Sequence, residues 1–350
     1  MNKSKLFEIK KRTETRPSTG NENAFKYYND TGRIDVIPVR EIMEIWFEIY
    51  PDNEKDEMRS RLVSDFGPAF YELGLYSYFK NLGYLITIHP TVPNSTKHPD
   101  FLVHKNGVEF YVEIKEMQLE SEVERLKNRR MNTLTDSMNL IDSTNFMICI
   151  ETIRFKSGNQ PSGKKVIKHF DNLIKSFEPE SYREKMEKSG YEIMPTLQYE
   201  DNDVYIAIKL LPKLSHLRGK IGRAVASYGA YSKIGGDEET IKNALQSKAS
   251  RYGVLDKPFL ICLNYPSSFL RKEDIDLALY GSESFFGTVN NPKNTRVSAV
   301  LITSFTVSGL VNAKHYFYPN PYAKREIEFS PAIDLKSSLS LTKGYIKEFG

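Results

Sequence analysis

A hairpin constrains this chain more than any other feature. Asn106-Gly107 stands between two alternating segments, PDFLVH over 99–104 and VEFYVEIKEM over 108–117. A two-residue hairpin needs positive φ at both turn positions, which Asn and Gly supply at least cost. That turn sets the register: Lys105 pairs with Val108, and Asp100 falls directly opposite Glu113, with Cβ atoms about 5 Å apart. Strand side chains alternate, so Asp100, Glu113 and Lys115 share one face. The other face reads Phe101, Val103, Val108, Phe110, Val112 and Ile114, a clean core surface.

Two carboxylates opposed on one face destabilise a sheet unless something compensates. A divalent metal is one compensation: Mg²⁺ takes one or two carboxylates and keeps water and substrate phosphate as its other ligands. It lowers the pKa of a bound water, which Lys115 can orient or deprotonate; alternatively Lys115 neutralises charge developing on the phosphorus centre. The plain alternative is an exposed ion pair among the three, worth about 0–1 kcal/mol. Glu72 bears on the choice. It is a lone acid on FGPAFYELGLYSYFKNL, a helix expected over 65–82 that is apolar nearly all round. A buried carboxylate is costly unless paired or bound to metal, so Glu72 joins the site, accepts from a Tyr hydroxyl, or reaches solvent at a helix edge.

Around this hairpin the pattern is mixed α/β. Residues 1–35 are polar and read as a poorly ordered arm with a short extended piece near Phe25–Tyr28. Helical spacing covers 38–50, and Pro51 with the charged run behind it ends that helix. Strands are expected at 84–89, 146–153, 203–211, 258–265 and 296–305, and helices at 118–141, 165–177, 238–252 and 271–280. The apolar row of the 118–141 helix is Leu119, Val123, Leu126, Leu134, Met138 and Ile141. Residues 178–202 read as charged and irregular. HYFYPNPYAK over 315–324 packs on the core end or forms a contact surface. Helices alternating with strands argue for a mixed sheet with covered faces.

Helical FYELGLYSYFKNLGY, then His98-Pro99-Asp100, then Val112-Glu113-Ile114-Lys115 resembles the PD-(D/E)XK nuclease superfamily across about residues 60–117. That resemblance implies a restriction-endonuclease-like mixed sheet flanked by helices. It implies Asp100 and Glu113 as Mg²⁺ ligands (Mn²⁺ able to substitute), Lys115 as the catalytic lysine and Glu72 as an additional acid on the metal. Relatives carry Gln-x-x-x-Tyr on the helix after the lysine strand. This chain has Lys248-Ala-Ser-Arg-Tyr252, with Lys in the Gln position, so Lys248 is either a phosphate contact or a solvated lysine. If 238–252 is that helix, the organisation is an N-terminal arm and helix (1–59), a first half of the core (60–117), an insertion with a basic segment (118–236), and core completion with a C-terminal α/β extension (237–350). The helix over 118–141 competes for the same position, and the sequence does not choose.

The net charge of +4 over 350 residues announces no partner, but its distribution is uneven. Residues 204–236 carry Lys209, Lys213, Arg218, Lys220, Arg223 and Lys233 with no Asp or Glu. Arg218, Lys220 and Arg223 with Lys248 and Tyr252 are candidate nucleic-acid contacts, set against a merely solvated loop. RLKNRR over 125–130 is a second basic patch, read as the exposed face of a helix. His89 and His98 flank the hairpin as strand-end polar residues or as neighbours of the site. Cys149 and Cys262 sit in apolar runs as buried thiols, suiting a reducing cytoplasm. No signal peptide, membrane span, zinc spacing or Walker loop is read. The expectation is a metal-dependent endonuclease of restriction, phage-defence or repair type, acting on DNA, with a homodimer or partner protein left open. The alternative is a catalytically inactive nucleic-acid-binding module of the same fold.

Overall fold

The computed structural model describes residues 5–93, 95–119, 121–220, 222–228, 237–266, 270–307 and 313–329. The chain divides into two compact units. One comprises Met1–Arg16, Asn23–Leu119 and Gly235–Gly350; the other comprises Pro17–Glu22 and Glu120–Ile234.

The first unit opens with α1 (Ala24–Asp30), α2 (Ile37–Glu48), α3 (Lys55–Ser64) and α4 (Phe66–Asn81), followed by β1 (Leu85–Ile88), β2 (Phe101–Lys105) and β3 (Val108–Glu116). The second unit supplies α5 (Glu122–Met138), β4 (Phe146–Phe155), α6 (Gly163–Ile174), α7 (Pro179–Ser189), β5 (Leu197–Glu200), β6 (Val204–Pro212) and β7 (Val225–Tyr228). The chain then returns with α8 (Asp237–Ala249), β8 (Phe259–Asn264), α9 (Lys272–Tyr280), the short pair β9 (Gly287–Thr288) and β10 (Asn291–Pro292), β11 (Ala299–Thr303) and β12 (His315–Pro319).

The first unit is built on a mixed six-stranded sheet in the order β1-β2-β3-β8-β11-β12. Its central pairs, β3 with β8 and β8 with β11, are parallel, and the outer pairs are antiparallel. The hairpin has the register read from its turn: Lys105 faces Val108 and Phe101 faces Val112. Asn106 and Gly107 both hold positive φ (51° and 82°). Alternation then sorts the side chains. Phe101, Val103, Phe110, Val112, Ile114, Leu260, Cys262, Ala299 and Leu301 form one core with α2 and α4, where Trp46, Phe70 and Phe79 are buried. Tyr111, Ile261, Leu263, Val300 and Ile302 face the other way and pack against Ile241 and Leu245 of α8 and Ile275 and Leu279 of α9. Both faces are covered, as a sheet with parallel central strands requires. Of the two helices left competing for the position after β3, α8 is the one that packs on β3 and β8; α5 lies in the other unit.

The second unit has a four-stranded sheet in the order β5-β6-β4-β7. Its core joins Ile148, Ile150, Ile206 and Ile208 to Met131, Leu134 and Met138 of α5 and to Val166, Phe170 and Ile174 of α6. Ser121 caps α5 in a reciprocal capping box with Glu124.

Several expectations change. The N-terminal segment is no loose arm: Leu6 and Phe7 are buried, Phe7 stacks on Phe25 of α1, and the Glu44 carboxylate accepts the Leu6 and Phe7 N–H groups at 3.1 and 2.8 Å. Two apolar residues in a polar run suffice to anchor it. The charged run after Pro51 folds as α3, which buries little beyond Met58 and Leu62. Residues 178–202 are not irregular but contain α7 and β5. The apolar row of α5 splits: Val123 and Leu126 are exposed, and packing begins at Met131. Among the described residues no helix is long and apolar enough to cross a membrane.

Gly74 lies where α4 meets the aromatic cluster. A Cβ there would come within 2.7 Å of the Phe305 ring, which stacks on Trp46 and Phe70. Gly-to-Ala in a helix ordinarily stabilises by about 1 kcal/mol. Here Gly74→Ala is expected to destabilise by about 1–3 kcal/mol through overpacking, read as a lowered melting temperature.

Candidate functional site

Glu113 occupies the middle of β3 on the α8 face and is 1% exposed. A sealed carboxylate must be answered by charge or hydrogen bonds. The chain answers it from the end of α8 and the turn behind it. Lys248 Nζ lies 2.5 Å from Glu113 Oε1, the Arg251 guanidinium lies 3.3 Å from the same oxygen, and the Tyr252 hydroxyl donates to Oε2. That hydroxyl also lies 2.8 Å from the His98 carbonyl oxygen. Burial and the Glu113 charge push the Tyr252 phenol far up, so it remains a donor.

Asp100 immediately precedes β2. Its Oδ2 accepts the Ile114 N–H at 2.6 Å, and among the described residues Oδ1 has no hydrogen bond. Burial, then the charges of Glu113 and Glu72, push its carboxyl up to about 7, against the pull of the Ile114 N–H and Lys248. Lys115 follows Glu113 by two positions on the same face of β3. It is half-buried and has neither hydrogen bond nor ion pair among the described residues.

Glu72 is 2% exposed on α4, on the face opposite Glu113. Both of its oxygens meet Arg61, with the guanidinium 2.9 Å from Oε1, and the Tyr50 hydroxyl stands 3.4 Å from Oε1. Burial, then the Glu72 charge, pushes the Tyr50 phenol up. The structure therefore brings Glu113 and Glu72 each within electrostatic reach of Asp100. It does not gather them further: among the described residues no three His, Cys, Asp or Glu side chains stand close enough to hold a metal ion. Glu72 is committed to Arg61, and it approaches from the other side of the sheet. Asp100 and Glu113 remain as a hard-oxygen pair, the donor set that Mg²⁺ accepts. Asp100 offers Oδ1 directly, and Glu113 offers oxygen only when its cationic partners leave.

The nucleic-acid candidates divide between the two units, Lys248 and Tyr252 in the first and Arg218, Lys220 and Arg223 in the second. Tyr252 is buried and belongs to the cage around Glu113, so it is no stacking surface. Lys248 is part of the same cage. Arg218 bridges Glu180 at 2.6 Å and the Lys213 carbonyl. Arg223 donates to the Ser18 carbonyl. Lys220 is exposed. Lys209 is 5% exposed, bonded to the Glu192 carbonyl at 2.9 Å beneath the Tyr191 ring, and offers nothing to a phosphate. Ile221 and residues 229–236 of the basic segment, Lys233 among them, lie outside the described residues. His98 is exposed with Nδ1 on the Pro90 carbonyl, and His89 is exposed with positive φ. Cys149 and Cys262 are free thiols, Cys262 buried and Cys149 half-buried.

Sequence reasoning missed Arg61, Tyr50, Arg251 and Glu116. Arg61 sits on a helix with no apolar stripe to betray it, and Arg251 adjoins a tyrosine that drew the attention. Glu116 closes β3 on the α4 face. Its Oε2 is buried without a hydrogen-bond partner among the described residues, and its carboxyl packs where a Gly67 side chain would stand.

Burial, then the Asp65 charge, pushes the Glu116 carboxyl up to about 7. The folded protein thus holds this proton more tightly than the unfolded chain, whose carboxyl titrates near the ordinary value. Stability contributed here is full at acid pH and falls as pH rises between about 4.5 and 7. Glu116→Gln is expected to remove that decline, so its melting temperature exceeds that of the wild type at pH 8 and matches it at pH 4. Comparison with known proteins adds no relative to this geometry: no family model, no curated protein and no solved structure matches the chain.

Proposed function

We propose that this chain is a metal-dependent nuclease that hydrolyses phosphodiester bonds, an endonuclease acting on DNA, with a restriction-endonuclease-like core of the PD-(D/E)XK type. One observation carries the reading. Asp100 and Glu113 stand opposite each other in one hairpin, the Glu113 charge helps push the Asp100 carboxyl up, and Lys115, without a partner among the described residues, shares the face of Glu113. Two opposed acids beside a lysine that has no partner among the described residues are the groups that metal-assisted phosphodiester hydrolysis uses. The strand order, with β3 parallel to β8 and α8 between them in sequence, supports the same reading.

In this reading Asp100 and Glu113 hold Mg²⁺ or Mn²⁺. The bound ion supplies charge neutralisation at the scissile phosphate and a water of lowered pKa. Lys115 orients that water and offsets the charge that develops on the phosphate oxygens. Ile114 N–H fixes one Asp100 oxygen and leaves the other to face the ligand. Glu72, held by Arg61, adds negative potential from behind the sheet. The two free thiols suit a cytoplasmic setting, and restriction, phage defence and repair are the contexts such chemistry serves. A second reading, a nucleic-acid-binding module without cleavage, draws on one observation: Lys248, Arg251 and Tyr252 already occupy Glu113.

Plasmid nicking with Mg²⁺ or Mn²⁺ tests the pair of readings. Wild type is expected to nick, EDTA to stop it, and Asp100→Ala and Lys115→Ala to lower the rate by about 10²–10⁴-fold. Undiminished cleavage by either variant removes the catalytic assignment. Tight DNA binding without metal-dependent nicking makes the binding module the correct reading.

A further inference from the structure

The carboxylate that the nuclease reading needs most is the one least free to bind anything. Glu113 Oε1 carries Lys248 at 2.5 Å and Arg251 at 3.3 Å, and Oε2 carries the Tyr252 hydroxyl. The Lys248 side chain keeps 14% of its surface in solvent and that of Arg251 keeps 41%, while Glu113 is 1% exposed. The acid is fixed within a strand, and the cations reach it from the last turn of α8 and just beyond. Lysine carries a flexible stem on a compact charge, and the carbonyls at a helix C-terminus favour a cation nearby whether or not it touches Glu113. Lys248 therefore has somewhere to go, and Glu113 does not.

We propose that Lys248, seconded by Arg251, is a resident counter-ion that a divalent cation must displace from Glu113, so that metal affinity is set by exchange of one positive charge for another. This rests on the nuclease reading and extends it. Lys248 is then a positioning residue: it holds the buried carboxylate in place while no metal is present, and it leaves when one arrives. Asp100 Oδ1, open in the described structure, gives the incoming ion a first foothold. Removing Lys248 leaves Glu113 short of positive charge and strengthens its demand for a metal. Replacing Lys248 by another permanent cation leaves the competition in place.

The test is Mn²⁺ titration of the full chain by calorimetry and electron paramagnetic resonance, without nucleic acid. Lys248→Met and Lys248→Gln are expected to bind Mn²⁺ about tenfold or more tightly than wild type. They should melt lower without metal and be stabilised more by it. Lys248→Arg is expected to return to wild-type affinity. The Gln variant, which keeps a hydrogen-bond donor, serves if the Met variant does not fold. Wild-type or weaker affinity in both neutral variants overturns the exchange. If Asp100→Asn and Glu113→Gln still abolish binding, the metal site survives that failure. If Mn²⁺ binds neither wild type nor Lys248→Met, or binds without regard to Asp100 and Glu113, the nuclease reading falls along with the exchange.

Discussion

Glu113 is the constraint on which the first unit turns. An ionised carboxylate sealed inside a protein costs several kcal/mol unless it is answered by opposite charge and hydrogen bonds. Its answers come from Lys248, Arg251 and Tyr252, which arrive only after the chain has left the unit at residue 119 and come back at residue 235. The charge thus does what a purely apolar contact cannot: it specifies which helix lies on this face and at which turn. A helix slid by one turn along the sheet would bury the same kind of apolar surface but leave Glu113 unanswered.

The opposite face shows the complementary arrangement. There α4 is apolar nearly all round, and its own Phe70 and Tyr71 pack against Trp46 and Phe305. The one acid in that helix, Glu72, is clasped by Arg61 from the neighbouring α3. Glu113 on one face and Glu72 on the other are thus each buried against cations, and Asp100 lies under the influence of both acids. A site with this distribution of charge is neutralised locally rather than left as a negative hole. Its electrostatic balance shifts when any one cation is moved.

Much of this was legible in the residues and some was not, for physical reasons. The hairpin register followed from Asn106-Gly107, because a two-residue turn with positive φ leaves no freedom to slip. The apolar face of β2 and β3 followed from alternation, and the burial of α4 from its lack of polar faces. The helix α3 is not legible because it buries only Lys55, Met58 and Leu62 and so shows no apolar stripe. The buried segment at Leu6 and Phe7 escaped because two apolar residues in a charged run have no periodicity. Tyr252 looked like an exposed contact because its partner, Glu113, is distant in sequence; only three-dimensional proximity turns a surface-type residue into part of a cage. Lys209 misled in the same way, since a buried lysine under Tyr191 has the same letter as a solvated one.

The parallel pairing of β3 with β8 has a consequence in time. Val112 lies beside Leu260 and Lys115 beside Leu263, so the middle of the principal sheet joins stretches that are synthesised far apart. Local pairings form early, and pairings between distant stretches must first close a long loop. The hairpin and the first four helices can assemble as soon as they emerge, but they present an open strand edge at β3 until the entire intervening unit has been made. The intervening unit has its own sheet and core. The strand that completes the middle of the principal sheet is therefore one that β3 must wait for until the residues between them have been synthesised.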